Sequence, residues 1–317
     1  MAVTVISTRK ALRQWNLYLL VIPSLILICM FGYFPAISAI AHSFFDWQGS
    51  GQMQYIGLEN FRRALSDQVF LRSFGTLAIL VTANLFKMIP CVILAVLIHR
   101  LASDNWQYWY RVMLIVPMVV PGLVGLFIWR FFFDPNLGVI NNLFDFFHVK
   151  TMLIWLDVHL LHWDVFRADS PISWLSEPNL IIPSLIFWGF PWIGAMAVFI
   201  YLAGLQSIGT EVYEAAELDG ASSWQKFRFV EFPLIMTQIR LNVILMFIGA
   251  LQDYGLIFLL LGAGGGAAGR GMVPGLWMFS RGFQMGEFGY ACALGIVLFF
   301  IILILTYINN KYIRVDK

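Results

Sequence analysis

Charge is what this sequence is short of. Of its 317 residues only 12% are Asp, Glu, Lys or Arg, and 60% are hydrophobic, whereas a soluble domain is about 25% charged. With a mean hydropathy of +0.78, the composition excludes an ordinary soluble fold. The 20 basic residues against 18 acidic ones leave a formal net charge of +2, which is no footprint for nucleic acid. Cysteine is scarce as well. Cys29, Cys91 and Cys292 all fall in apolar runs, which rules out a disulfide framework or a thiolate metal cluster and leaves them as small buried hydrophobes. Nucleotide chemistry is missing too: the run GAGGGAAGRG at 262–271 has no Lys followed by Ser or Thr and no strand before it. It reads as a flexible connector. His159, His162 and Asp164 lie close together, but no further ligand spacing supports them, so neither metal nor cofactor is expected. No paired polar groups stand at catalytic spacing, and the chain is not expected to be an enzyme.

What the sequence does have is long apolar runs. At about 20 residues per crossing, six candidates stand at 15–40, 74–98, 110–133, 180–203, 235–261 and 290–309. The expected fold class is therefore all-α, a polytopic membrane protein with six transmembrane helices in one domain, 1–317. Arg9, Lys10 and Arg13 precede the first run as they would in a signal peptide, but the run exceeds the usual core of about 7–15 apolar residues and reads as a retained helix. An even number of crossings places both termini on one side. Arg9, Lys10, Arg13, Arg100, Arg111, Lys226, Arg228, Lys311, Arg314 and Lys317 all fall there, which makes it the cytoplasm. Arg62, Arg63 and Arg72 are exceptions in the first outer loop. The third outer segment is acidic, with Asp134, Asp145, Asp157, Asp164, Asp169 and Glu177 against Lys150 and Arg167.

The polar stretch TEVYEAAELDGASSWQKFRFVEFPL, 210–234, lies between two of these runs and cannot sit in hydrocarbon. Val212, Ala215 and Ala216, then Trp224, Phe227 and Val230, recur at helical spacing, so two short helices are expected. Gly220 between them suits a left-handed helix end, Glu211 and Glu214 favour the first helix start, and Ser222 or Ser223 can cap the second. Such an element is either a docking surface or an amphipathic loop on the headgroups.

Elsewhere, YIGLENFRRALSD at 55–67 predicts a surface helix with Phe61, Leu65 and Ala64 on its apolar side. Lys87, with Asn84, falls near the middle of the second run, where a charge normally faces a polar interior or a partner unless it snorkels along its own stem. Asp253 is the only carboxylate set well within another run, so it is the expected partner. Pro117, Pro121, Gly122 and Gly125 predict a kinked third span. The stretch 144–172 reads as a partly ordered external insertion with interfacial tryptophans Trp155, Trp163 and Trp174.

Glu214, Ala215, Ala216, Asp219, Gly220, Ala221 and Pro233 stand at the spacing of the EAA loop in permease subunits of binding-protein-dependent ABC importers. Phe232 replaces the usual Leu before the proline. The chain also resembles the sugar-type, maltose-importer-like branch at YIGLENF (55–61), FDPNLGVIN (133–141) and WLSEPN (174–179), with Gly209 where that branch commonly has proline. The insertion departs from the pattern, and nothing in the resemblance covers Lys87.

The resemblance implies a coupling loop at about 205–234 that docks on a cytoplasmic ATPase, a second permease subunit, an extracytoplasmic solute-binding protein, a small-molecule solute and a location in the inner or plasma membrane. ATP hydrolysis would belong to the partner. Two other classes remain open. A secondary transporter would show repeats and paired broken helices, and an integral-membrane enzyme would cluster His, Asp or Glu at helix ends.

Overall fold

The computed structural model describes residues 15–312; Arg9, Lys10, Arg13, Arg314 and Lys317, used above to orient the chain, lie outside them. The chain divides into two compact units, one comprising the residues up to Ser66 with Arg281–Val297, the other Asp67–Ser280 with the residues from Leu298.

In the first unit, α1 (Trp15–Ile28) runs through a π-turn into α2 (Phe34–His42). Apolar residues from Leu19 to Ile40 are exposed along it, as suits a helix surrounded by lipid. A two-stranded antiparallel ribbon follows, β1 (Phe45–Asp46) with β2 (Gln54–Tyr55), and then α3 (Glu59–Ser66). Asn60 and Ala64 form the buried side of α3 while Leu65 is 73% exposed, so the expected apolar face is displaced by one position. The cause is polar: the Asn60 amide donates to the carbonyls of Ser43 (2.9 Å) and Phe45 (3.0 Å), and that fixes the roll of the helix. Arg63 pairs with Glu287 at 2.9 Å and lies over the Tyr290 ring.

The second unit is built on α4 (Gln68–His99). Asp67 caps it, accepting from the amides of Val69 and Phe70, and also accepts from the Trp277 indole at 2.8 Å. Its 32 residues make roughly 48 Å at about 1.5 Å per residue, well over the ~30 Å hydrocarbon core. One end must therefore tilt or project. Next come α5 (Asp104–Val119) and α6 (Gly122–Phe132), bent by 88°. The bend sits where the proline pattern put it: Val120, forced out of helical geometry by the following Pro121, has ψ 124.

Beyond α7 (Val139–Phe146) and α8 (Val149–Leu156), the fourth apolar run forms two helices, α9 (Pro178–Phe187) and α10 (Ala195–Gln206). A continuous helix was expected. The sequence WGFPWIG between them carries Pro191 and positive φ at Gly189 and Trp192, which no helix accommodates. After α11 (Thr210–Leu218), α12 (Ser223–Lys226) and α13 (Phe232–Leu234), the fifth run is likewise split into α14 (Met236–Gln252) and α15 (Gly255–Leu261). Then α16 (Pro274–Phe279) leads to α17 (Phe288–Tyr312). Among the described residues, three helices are long and apolar enough to cross a membrane, or up to six if each bent pair is one span. The second unit's inner core joins Ala95 and Ile98 of α4 to Tyr201 and Leu205 of α10 and to Ile235.

Two loops are tighter than the sequence predicts. In the glycine run, Gly262, Gly265, Gly266 and Gly269 have positive φ. A Cβ on Gly265 would come within 2.7 Å of the Met272 amide nitrogen, so the run is a packed turn, not an open connector. The insertion is also ordered. Trp174 is no interfacial anchor; it is buried in a cluster with Phe133, Ile140, Phe166, Ile172 and Leu180, its indole donating to Asn141 at 2.7 Å. Of the cysteines, Cys91 is buried, Cys292 half-buried and Cys29 exposed.

Asp157, 3% exposed, accepts the backbone amides of Trp163, Asp164, Val165 and Phe166 at 2.7–3.2 Å. Burial opposes its charged form, yet the four donors outweigh it and hold the carboxyl below its usual range. Its stabilising contribution is therefore complete at neutral pH and is lost only as pH falls through that lowered value. Asp157→Ala orphans these amides, at about 1–3 kcal/mol for each left unsatisfied. The segment 157–170 should then lose hydrogen-exchange protection and become protease-sensitive, and between pH 7 and 5 the native insertion should stay protected.

Candidate functional site

The polar stretch 210–234 folds as a helix, a turn and a second helix because its residues satisfy the chain ends locally. At the end of α11 the Ala221 amide donates to the Ala216 carbonyl and the Gly220 amide to that of Glu217, the paired bonds of a Schellman ending. Gly220 takes φ +71, and a Cβ there would meet nothing within 4 Å. The demand for glycine is thus conformational alone. Ser222 then caps α12 with a full capping box, its hydroxyl accepting from the Gln225 amide while the Gln225 side chain accepts from the Ser222 amide. Lys226 reaches back to Glu217 at 2.7 Å.

Glu214, Ala215, Asp219 and Gly220 are exposed, as is Pro233; Ala216 and Ala221 are half-buried. Leu218, Trp224 and Phe229 stand out at 90%, 68% and 72% exposure. Apolar residues so exposed within a charged loop form a patch of the kind that meets a partner protein or the headgroups.

One residue of the loop points the other way. Glu231 is fully buried. Arg100, one residue past the end of α4, grips it with two parallel bonds, Nε to Oε1 at 2.9 Å and Nη2 to Oε2 at 2.7 Å, and also donates to the Ser223 carbonyl at 2.9 Å. Tyr213 of α11 donates to Glu231 at 3.5 Å and lies 3.1 Å from Nε2 of His99. Burial first, and then the Glu231 carboxylate, push the Tyr213 phenol up to about 12, so it remains a donor at any physiological pH. The loop is in this way fastened to the end of the longest helix by a bidentate ion pair, with an open cleft of about 340 Å³ beside it lined by His99, Arg100, Tyr213 and Glu217. Sequence reading counted Arg100 only among the cytoplasmic charges and did not single out Glu231. The usable signal was helical spacing, since Phe227, Glu231 and Ile235 recur four residues apart, and Ile235 belongs to the buried core with Phe227 packed against it.

Lys87 and Asp253 are not brought together. Lys87 Nζ donates to the Leu185 carbonyl at 3.4 Å and sits 5.9 Å from the Trp192 ring. Asp253 ends α14 and spends its carboxylate on the Leu256 amide in the first turn of α15. The carboxylate caps a new helix start, which the reading of 235–261 as one helix concealed. One turn after Lys87, the Cys91 thiol donates to the Trp192 carbonyl at 3.3 Å and accepts from the Gly194 amide at 3.3 Å. A single face of α4 thus supplies partners to the broken backbone between α9 and α10.

The family described as binding-protein-dependent transport system inner membrane component matches residues 91–314. Among relatives, the multiple sugar-binding transport system permease protein MsmF of Streptococcus mutans is 28% identical, covering 96% of this chain and 97% of that protein. The lactose transport system permease protein LacF of Rhizobium radiobacter is 26% identical over the whole of both. The crystal structure of a bacterial ABC transporter involved in the import of the acidic polysaccharide alginate shares the fold, with a TM-score of 0.76 at 22% identity over 96% of this chain and 97% of that one.

Removing Arg100 leaves a buried, unpaired carboxylate, which costs about 3–5 kcal/mol. Arg100→Met should therefore lower thermal stability in detergent more than the double variant Arg100→Met/Glu231→Leu, which removes both charges. A double variant no more stable than Arg100→Met would show that the ion pair is not what holds the loop.

Proposed function

The chain belongs to the binding-protein-dependent transport system inner membrane component family, and on that premise we propose that it is the permease subunit of an ABC importer for a sugar or related solute. It is a multi-pass protein of the cell membrane. The relatives that name a solute name sugars, among them lactose and diacetylchitobiose, and that supports the solute class. The observation that carries the mechanism is the exposed helix–turn–helix at 210–234 with its buried tether to α4.

In this reading a cytoplasmic ATPase receives Leu218, Trp224 and the EAA residues Glu214, Ala215, Ala216, Asp219, Gly220, Ala221 and Pro233. When the ATPase pair closes on ATP, the loop is displaced, and the Arg100–Glu231 pair transfers the displacement to α4. The chain itself supplies no hydrolytic group. A second permease subunit completes the pathway, and an extracytoplasmic binding protein, of the kind present in an alginate transporter complex of the same fold, delivers the solute. Six crossings with both termini cytoplasmic suit this arrangement. The unwound segment 188–194, with Lys87 against it, is the natural lining of the pathway, because irregular backbone at membrane depth persists where protein or a water-filled cavity partners it.

Two expected outcomes test the reading. Gly220→Val forces a β-branched residue into positive φ, at a cost of roughly 1–2 kcal/mol. The subunit should still insert, while stimulation of ATPase activity by loaded binding protein falls sharply. Wild-type stimulation in this variant would remove the coupling role. The second outcome is topological. Single cysteines at Ser223 and Ala267, with Cys29 and Cys292 replaced, should react oppositely with an impermeant thiol reagent on intact cells, Ala267→Cys labelled and Ser223→Cys protected.

A further inference from the structure

We propose that the insertion is a lipid-binding element whose exposed helical face lies in the outer-leaflet interface of the bilayer. α8 continues through a π-turn to Leu161. Its two sides differ sharply. Leu153 and Ile154 pack on the cluster around Phe133 and Leu180. The other side presents Met152, Trp155 and Val158 at 56%, 55% and 64% exposure, a spacing of one helical face. Leu160, Phe146 and Phe147 extend it at 66%, 75% and 66%.

Three features select lipid as the occupant. The first is depth: the cluster that seats α8 also contains Trp129 and Phe132 in the last turn of α6, so the helix rests directly on the end of a membrane segment. The second is charge. No Asp, Glu, Lys or Arg stands on the face, and the three that border it are directed elsewhere. Lys150 donates to the carbonyls of Ala168 and Ser170, Asp157 is closed by its four amides, and Asp145 lines a separate polar cleft with Asn142 and Lys150. The third is the polar content that remains. Trp155 and His159 stack at 4.7 Å, with His159 Nδ1 at 2.8 Å from the Trp155 carbonyl. A ring with one polar edge is the side chain favoured at headgroup depth, whereas a protein interface would require about one hydrogen bond per 100–200 Å², and the face has few groups to make them. At the tip, left-handed His162 closes the π-turn by donating its amide to the Asp157 carbonyl at 2.8 Å. With no formal charge on the face, binding rests on apolar burial and needs no anionic lipid.

The test uses the full chain, with Cys29 and Cys292 replaced and buried Cys91 kept, reconstituted into phosphatidylcholine vesicles. Nitroxides are attached at Met152→Cys, Val158→Cys or Asp169→Cys, all exposed positions whose substitution leaves the core untouched. Collisions with oxygen should exceed those with an aqueous nickel chelate several-fold at 152 and 158, and the ratio should reverse at 169. Labels at 152 and 158 as open to nickel as the one at 169 would overturn the proposal. Protection accompanied by dipolar broadening between labels would place a second copy on the face and overturn it equally. So would protection that appears only when an extracytoplasmic binding protein is added.

Discussion

A single buried ion pair governs how this chain is put together. Glu231 is wholly withdrawn from solvent, and Arg100 keeps 31% of its side chain exposed. Two charges seldom gain by leaving water, because desolvation offsets most of their attraction. What such a pair supplies is registry: a carboxylate gripped in two parallel bonds has one productive position and no acceptable alternative. With the third donor from Arg100 to the Ser223 carbonyl, that position fixes both ends of α12 and its continuation, and Tyr213 extends the fix to α11. The exposed face of the loop is thereby held from behind, so that in the proposed docking role its shape would be set before binding and little ordering entropy would be lost.

The membrane part obeys the complementary constraint, that no backbone polar group be left alone in hydrocarbon. The breaks in the fourth and fifth runs would be intolerable in a lone helix. Each is repaired from inside the protein. At the break between α9 and α10 the repair comes from α4, where Lys87 and Cys91 stand one turn apart and answer carbonyls and an amide on the far side. Trp192 adds a further bond, donating its indole N–H to the Ile186 carbonyl at 3.1 Å. This gives Lys87 a purpose that a search for an opposite charge misses. An ammonium group carries three donors, and a carbonyl is as serviceable a partner as a carboxylate when the surroundings also offer an aromatic face.

What the sequence disclosed and what it withheld divide along the same line. The docking helices, the Gly220 ending and the Ser222 cap were legible because each depends on residues within a turn or two, and the kink at Pro121 was legible because proline acts on its neighbour. The family followed from fixed offsets within that local stretch. Arg100 and Glu231 are 131 positions apart, and no spacing rule connects them. The split at Asp253 escaped because hydropathy sees composition, and a carboxylate capping a new helix looks the same as one buried in a span. Trp174 was misplaced for a related reason: an indole beside a membrane is drawn to the interface unless a specific acceptor, here Asn141, makes deeper burial affordable.

These two kinds of joint belong to one mechanical scheme. Under the proposed coupling role, a push at α11 and α12 would reach the end of α4 through the bidentate pair, since rotating the guanidinium away strands a buried charge. The contacts along α4 towards the broken segment are softer, a 3.4 Å ammonium bond and thiol bonds of 3.3 Å, each of which can be remade with a neighbouring carbonyl or water at small cost. On the proposed function, a firm joint at the loop and weaker ones at the breaks would direct a displacement entering at the loop towards the unwound segment 188–194, where the backbone has least helix to resist it. The sequence places Gly189, Pro191 and the aromatic residues Trp188, Phe190 and Trp192 together there, where Lys87 and Cys91 of α4 meet the neighbour's backbone.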